Sequence, residues 1–259
     1  MNGELLIVQT ATIFSSHKSL AIGRVFDDNG EGATLSAVVN ALDWAIEKGA
    51  HIVNMSFGIS VDLDSLHEAI IRLRNAGILA VASAGNAGTD TPNYPAYYPE
   101  TLAVAAVDSS KKWASFSTYN DRVDLAAPGV GILSTLPGNR VGAMDGTSMS
   151  TPYVSGAAAL MKRDCMECTD REIWSCLITT VEPISCSIEK CGAGLLQAGA
   201  AYQCLKSSPC CGGSVDEGRV PTTRATQPQC QEFREYCLHN SDCCSGRCNN
   251  RRKQCKKSN

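Results

Sequence analysis

Cysteine placement constrains this chain more than any other feature. None of the fourteen cysteines precedes Cys165, so all of them fall in the last 95 residues. An even number packed this densely predicts disulfides, and therefore an oxidising, extracellular compartment. The alternative is a metal site, because Cys165 and Cys168 have the two-residue gap typical of zinc ligands, although no second pair with a two-residue gap follows. We favour disulfides.

The composition is that of a globular protein with room for one large domain and a small one. The chain has 259 residues, of which 44% are hydrophobic and 19% charged. Apolar runs such as residues 78–82 are far too short for a membrane span. A net charge of −3 gives no general reason to expect a nucleic-acid partner. Residues 1–4 do not have the pattern of a signal peptide, which conflicts with the compartment that the cysteines predict.

Strand-like and helix-like patterns alternate through the first two hundred residues. Apolar residues recur at helical spacing from Leu35 to Ile46, and Gly49 ends that helix. Ser65 and Glu68 have the spacing of a capping box that begins a second helix. Short apolar runs predict strands at residues 20–26, 52–53, 78–82 and 102–107. The alternation predicts an α/β fold with a parallel sheet, helices on both faces, and a site at the carboxyl ends of strands.

The segment 146–156 (GTSMSTPYVSG) predicts the start of a helix and carries the strongest candidate for a nucleophile. Ser148 would lie in the first turn after a glycine, where free backbone N–H groups stabilise developing negative charge. Pro152 would be tolerated there because first-turn N–H groups have no partner within the helix. Gly156 would permit close approach of another backbone. The alternative is that Ser148 only caps the helix.

This segment resembles the nucleophile motif of the subtilisin-like serine peptidases (subtilases, peptidase family S8), and further segments match in the family's order. Residues 52–58 (IVNMSFG) resemble the strand that pairs with the substrate backbone. Residues 82–88 (ASAGNAG) resemble the wall of the S1 pocket and the oxyanion asparagine. Other matches lie at residues 94–96, 105–110, 114–117, 126–129 and 191–196. The resemblance covers residues 20–204 and implies a subtilisin-like parallel sheet that is incomplete at its amino end.

The resemblance implies a serine-type endopeptidase that hydrolyses polypeptides through an acyl-enzyme on Ser148. The side chain of Asn86 and the backbone N–H of Ser148 would bind the oxyanion. The substrate cleft would be lined by Ser56, Phe57, Gly58, Ala82, Ser83, Ala84 and Gly85. Taken alone, Asn86 also fits a left-handed turn, and the cleft segments also fit tight turns. Calcium is the cofactor that the resemblance implies, but no metal ligand can be assigned.

The aspartate and histidine motifs of the family, which precede the serine, are not found in the sequence. The four histidines lack the motif context, and we interpret each as a surface residue: His17, His51, His67 and His239. Without a general base the Ser148 hydroxyl is a poor nucleophile at neutral pH. The family's aspartate lies on an internal strand, so we also expect its neighbours in this chain to lack a ladder partner or to close a gap.

Three hypotheses follow. The first is that the sequence is a fragment of a longer secreted peptidase, whose signal peptide, propeptide, aspartate strand and histidine helix precede it. The second is a catalytically inactive pseudopeptidase that binds peptides in the surviving cleft. The third is a carrier for a working module at the carboxyl end.

The carboxyl end divides into a linker and a small module. We predict a partial peptidase domain at residues 1–205, a linker at 206–229 and a cysteine-rich module at 230–259. The module has the spacing C-x6-C-x5-C-C-x3-C-x6-C, and six cysteines allow fifteen pairings. It resembles the inhibitor-cystine-knot (knottin) peptides, which implies the pairs Cys230–Cys244, Cys237–Cys248 and Cys243–Cys255.

A cluster of basic residues accompanies the knottin-like pattern. It comprises Arg247, Arg251, Arg252, Lys253, Lys256 and Lys257. We expect this cluster to bind an acidic surface or matrix, and the alternative is an ordinary solvated face.

Overall fold

The computed structural model describes residues 4–9, 19–26, 32–136 and 138–212. The predicted knottin-like module at 230–259, with its six cysteines and the basic cluster, lies outside the described residues. So do most of the predicted linker, His17 and His239. In the part that is described, no helix combines the length and apolar character that a membrane crossing needs.

The described residues form eight strands, six α-helices and one 3-10 turn. The strands are β1 (Glu4–Gln9), β2 (Ser19–Arg24), β3 (Ile52–Met55), β4 (Leu79–Ser83), β5 (Thr101–Val107), β6 (Val123–Pro128), β7 (Ile132–Leu136) and β8 (Arg140–Met144). The helices are α1 (Leu35–Glu47), α2 (Asp64–Asn75), α3 (Thr147–Asp164), α4 (Asp170–Thr179), α5 (Ile188–Cys191) and α6 (Ala198–Lys206), and the 3-10 turn is Pro209–Cys211.

Six strands form one sheet in the order β2-β1-β3-β4-β5-β6, and β7 pairs with β8 in a separate hairpin. Strands β3 to β6 are parallel, which confirms the predicted α/β fold. Strand β1 is the exception, because it runs antiparallel to both β2 and β3. The expectation that the neighbours of the family's aspartate strand would lack a ladder partner or close a gap is therefore wrong, since β1 pairs with both β2 and β3.

The sheet is covered by helices on both faces, as predicted. Alternate strand residues point to opposite faces. On one face, strand residues pack with α3, α4 and α6: Ile52, Leu79, Val81, Leu102, Val104, Leu125 and Ala127. On the other face, strand residues pack with α1 and α2: Val53, Met55, Ala80, Ala82 and Ala103. Continuous burial of β3, β4 and β5 follows from this double cover.

Helix ends agree with the sequence prediction at α1 but not at α2. Gly49, with φ of +64°, follows the end of α1 as predicted. The predicted capping box at Ser65 and Glu68 is wrong, because α2 begins at Asp64 and has no side-chain cap. Ser65 therefore lies inside the first turn. A capping box does occur at α4, where Thr169 and Glu172 satisfy each other's backbone N–H groups.

All eight cysteines between residues 165 and 211 are paired, which confirms disulfides for this part of the chain. The pairs are Cys165–Cys211, Cys168–Cys210, Cys176–Cys204 and Cys186–Cys191. Cys210 and Cys211 lie beyond the predicted domain boundary at residue 205, and that boundary stays a prediction.

The alternative of a metal at the cysteines does not fit this pairing. In the described part of the chain, Cys168, Glu172 and Cys210 bring potential ligand atoms within 4.8 Å of one another. However, the two sulfurs are bonded to each other and offer no thiolate. Calcium, which takes six to eight oxygen ligands, does not suit this group either.

Candidate active site

Ser148 lies in the first turn of α3, directly above the carboxyl end of β3. The helix begins at Thr147 after Gly146, whose φ of +153° favours glycine. The alternative that Ser148 caps the helix is wrong, because no side chain caps α3. Instead, Ser148 Oγ donates a hydrogen bond of 3.0 Å to the backbone oxygen of Ser56. The expected position of the serine in the first turn is confirmed.

A second hydrogen bond joins the same two residues in the reverse direction. Ser56 Oγ donates to the backbone oxygen of Ser148 at 2.9 Å. In an α-helix this oxygen would accept from the N–H four residues later, but residue 152 is a proline and has none. The prediction that Pro152 lies in the first turn is wrong, because Pro152 is the sixth residue of α3. Its missing donor is replaced by the Ser56 hydroxyl.

Asn86 is held by Thr147, the residue before Ser148. Both the backbone N–H and the Oγ1 of Thr147 lie 2.9 Å from Asn86 Oδ1. Thr147 Oγ1 accepts a further bond from the Gly85 N–H at 3.2 Å, so its proton is directed to Asn86. These contacts identify the bound end of the Asn86 amide as its oxygen. Among the described residues Nδ2 has no hydrogen-bond partner, so it stays available as a donor next to Gly146 at the start of α3, where a Cβ on Gly146 would lie 3.5 Å from it.

The alternative that Asn86 adopts a left-handed turn is wrong. In the described residues, positive φ angles on non-glycine residues occur at Lys111 and Asn139. The glycines on either side, Gly85 and Gly88, have φ of +109° and +64° and make the turn. The backbone of Asn86 therefore does not have a positive φ. Asn86 is exposed, while Thr147 beneath it is fully buried.

The segments proposed to line the cleft lie at the carboxyl ends of β3 and β4. Ser56 and Phe57 are half-buried and Gly58 is exposed. Residues 82–84 (Ala82, Ser83 and Ala84) are buried, and Gly85 is half-buried. Their carboxyl ends are adjacent because β3 and β4 are parallel neighbours in register, with Met55 opposite Ala82.

Asn93 fills the space between these two segments, and sequence reasoning did not single it out. A Cβ placed on Gly58 would lie 2.2 Å from Asn93 Nδ2, and one placed on Gly85 would lie 3.1 Å from Asn93 Cβ. Asn93 Nδ2 donates to the backbone oxygen of Ser83 at 3.0 Å. Only glycine therefore leaves room for this side chain at Gly58. By contrast, a Cβ on Gly156 would meet nothing within 4 Å, so the close approach predicted there is wrong.

Neither described histidine is placed as a partner of Ser148. His51 precedes β3 and Ser56 follows it, so they lie at opposite ends of the strand, roughly 16 Å apart. Burial, and secondarily the charge of Lys162, lowers the pKa of His51 below its ordinary value. His67 lies on α2, where its Nε2 is 2.9 Å from Glu100 and its ring stacks on Tyr98.

Residues 11–209 match the Subtilase family, and the chain belongs to that family. It is 43% identical over 180 residues to a thermostable alkaline protease of Halalkalibacterium halodurans, covering 70% of this chain and 49% of that protein. It is 44% identical over 143 residues to thermitase of Thermoactinomyces vulgaris, covering 55% of this chain and 51% of that protein. The chain thus spans about half the length of these relatives.

Solved structures of maturation proteases share the fold. The patellamide maturation protease PatA is 30% identical, with a TM-score of 0.65 over 71% of this chain and 73% of that one. The prenylagaramide maturation protease PagA is 28% identical, with a TM-score of 0.63 over 70% of this chain and 71% of that one.

Proposed function

We propose that this chain carries the nucleophile and oxyanion site of a serine endopeptidase. Ser148 Oγ would attack the carbonyl carbon of the scissile peptide bond, and its proton would pass to a base. The same base would return this proton to the amine nitrogen as the C–N bond breaks, and water would then hydrolyse the acyl ester. The observation that carries this proposal is the pair of hydrogen bonds by which Thr147, the residue before Ser148, holds Asn86 Oδ1.

Two donors would stabilise the oxyanion. The backbone N–H of Ser148 lies in the first turn of α3, where N–H groups have no partner within the helix. The Asn86 amide supplies the second donor, and Thr147 fixes it before substrate binds. Donors oriented in advance toward developing charge contribute the largest share of stabilisation in many acyl-transfer enzymes.

The substrate would be a polypeptide bound in an extended conformation. Residues 56–58 continue β3 beyond the sheet, and Gly58 is exposed. Backbone groups of such a segment recognise an extended peptide by strand addition, with little demand on its side chains. The disulfides of the domain support an extracellular site of action.

One observation favours a second candidate, a pseudopeptidase that binds peptides without cleaving them. Within the described residues, the Ser148 hydroxyl donates to the Ser56 backbone oxygen and not to an imidazole. Neither His51 nor His67, the two histidines in the described residues, is placed to receive a proton held there.

A comparison of the full chain with its Ser148→Ala variant tests both candidates. Steady-state hydrolysis of peptide anilides and labelling by a fluorophosphonate would both be measured. Wild-type turnover and labelling that Ser148→Ala abolishes would support the peptidase. Absence of both in the folded wild type would overturn it. Binding of a fluorescent peptide with equal affinity to both chains would then support the pseudopeptidase.

A further inference from the structure

Two buried polar side chains connect β3 to α3 and are not explained by the proposed chemistry. Asn54 on β3 is 2% exposed, and Ser155 on α3 is 0% exposed. Ser155 Oγ lies 2.9 Å from Asn54 Oδ1, and Asn54 Nδ2 lies 2.9 Å from Ser56 Oγ. Ser56 Oγ in turn donates to the Ser148 oxygen. Buried polar groups are costly unless they are hydrogen-bonded, and each of the two buried side chains in this row has a hydrogen-bond partner.

The direction of these hydrogen bonds is decided at the Ser148 end. The Asn54 amide could in principle face either way, because its oxygen and nitrogen have the same shape. If the amide were reversed, its oxygen would attract the Ser56 proton and leave the Ser148 oxygen without a donor. That oxygen depends on Ser56, since Pro152 removes its helical donor. Only one orientation therefore satisfies it.

The other end of the row is consistent with the same orientation. Ser155 Oγ also lies 3.2 Å from the Thr151 oxygen, which is the longer of its two contacts. Thr151 is inside α3, so its oxygen already has a helical donor at residue 155. The Ser155 hydroxyl therefore donates its hydrogen bond to Asn54 Oδ1. The donors then run one way, from Ser155 through Asn54 and Ser56 to Ser148.

We propose that Asn54 and Ser155 are positioning residues that hold the backbone of Ser148 through the hydroxyl of Ser56. The consequence for catalysis rests on the proposed peptidase function. Fixing the Ser148 backbone fixes its N–H and its Oγ relative to the attacked carbonyl. Misplacement of a reacting group by about 1 Å costs on the order of 100-fold in rate, so even a partial release is measurable.

Nuclear magnetic resonance of the full chain tests the proposal without requiring turnover. The carbonyl ¹³C shift of Ser148 reports the hydrogen bond that this oxygen accepts. Ser56→Ala removes the donor and defines the full change. Asn54→Leu, which has a similar volume and no donor, and Ser155→Ala are expected to move the resonance in the same direction. Ser150→Ala is the matched control, because Ser150 is equally buried on α3 but donates to Ala127.

Kinetics then test the effect on the reaction. In Ser155→Ala we expect kcat to fall about fivefold to tenfold with KM nearly unchanged, the size of one lost hydrogen bond. Circular dichroism confirms that each variant is folded. An unmoved Ser148 resonance in folded Asn54→Leu and Ser155→Ala would overturn the proposal, as would a raised KM at unchanged kcat. If wild type shows no turnover, the proposed function fails, while the resonances still decide whether the row of donors exists.

Discussion

Two donors of Thr147, its backbone N–H and its hydroxyl, hold the same oxygen of Asn86, each at 2.9 Å. Asn86 is exposed, yet its side-chain amide cannot rotate to exchange its oxygen and nitrogen without breaking both contacts. Its Nδ2 is therefore oriented before any substrate arrives. Orientation in advance is what makes an amide effective toward an oxyanion, because no rearrangement is needed during the reaction.

Replacing Thr147 by valine is expected to weaken this orientation. Thr147→Val keeps the side-chain shape and the backbone N–H but loses the hydroxyl donor to Asn86 and the acceptor for Gly85. We expect kcat to fall about tenfold, corresponding to one hydrogen bond of ~1.4 kcal/mol, with little change in KM. Asn86→Ala should cost more, on the order of 10²- to 10³-fold, a value known from subtilisin itself. Steady-state hydrolysis of a peptide anilide measures both.

Thr101→Val is the control for this substitution. Thr101 is 2% exposed on β5, and its Oγ1 has no hydrogen-bond partner among the described residues. Removing an unpaired buried hydroxyl should leave kcat unchanged and raise the free energy of unfolding by about 1 kcal/mol. Equal losses of kcat in the two valine variants would contradict a specific role for Thr147.

Asn93 and Gly58 should be coupled in stability. Gly58→Ala would place a Cβ within 2.2 Å of the Asn93 amide, so either backbone or side chain must move. We expect a loss of about 1–3 kcal/mol in the free energy of unfolding, as for other overpacked sites. In an Asn93→Gly background the same substitution should cost much less. Urea unfolding of the two single variants and the double variant gives the coupling energy, and an additive result would count against the contact.

Gly156→Ala on α3 is expected to stabilise the protein, whereas Gly58→Ala is expected to destabilise it. A Cβ at this position meets nothing within 4 Å, and the residue is inside a helix. Alanine should therefore raise the free energy of unfolding by about 0.5–1 kcal/mol, because glycine loses more backbone entropy in a helix. A destabilised Gly156→Ala would instead support the close approach that the sequence suggested.

Local patterns were sufficient to predict four of the six sheet strands (β2, β3, β4 and β5), the helical cover of the sheet and the position of Ser148 in a first turn. These depend on periodicity and on glycines next to apolar runs, which are properties of neighbouring residues. The contacts that orient the site depend on residues far apart in the chain. Ser56 and Ser148 are separated by 92 positions, and Asn86 and Thr147 by 61. No local pattern carries such pairs, which is why Thr147, Asn54 and Asn93 were missed.

Strand β1 is a second feature that the sequence motifs could not predict. The sequence predicted unsatisfied neighbours at this place in the sheet, since no aspartate strand could be found. Residues 4–9 instead pair with both β2 and β3. A backbone ladder needs extended residues and not a particular motif, so a search for motifs could not predict which segment would fill the position.

Stability should depend on pH through Asp164. Arg163 donates two hydrogen bonds to its carboxylate, Tyr202 donates a third at 2.7 Å, and together they lower its pKa from 3.8 to about 2 against the effect of burial. A lowered pKa means that the folded state binds fewer protons than the unfolded state between these values. The stabilisation is thus present above about pH 4 and is lost as the pH falls through about 2.

The comparison with Asp164→Asn measures this contribution. Wild type should have the higher free energy of unfolding near neutral pH, and the difference should shrink between about pH 4 and pH 2. Tyr202→Phe removes one donor and should raise the pKa of Asp164 toward its ordinary value, which carboxyl ¹³C titration detects. A difference between wild type and Asp164→Asn that stays constant over this range would show that the carboxylate is not responsible.

The disulfides Cys165–Cys211 and Cys168–Cys210 should substitute for each other. They close nearly the same loop, with sequence separations of 46 and 42. Removing either pair alone leaves the other in place, so the unfolded chain gains little freedom. Removing both opens a loop whose effective length is roughly 15 residues, because Cys176–Cys204 still links two points within it. In the chain-entropy model this loss should lower the free energy of unfolding by about 3 kcal/mol.

Urea unfolding of three variants tests this redundancy, with each cysteine pair replaced by alanine singly and then together. We expect each single loss to be under about 1 kcal/mol and the joint loss to exceed their sum. Cys186–Cys191 is the control, because its separation of 5 residues encloses none of the others. Its removal should cost about 2 kcal/mol and add independently to either single loss. Two single losses that sum to the joint loss would mean that the disulfides constrain different parts of the unfolded chain.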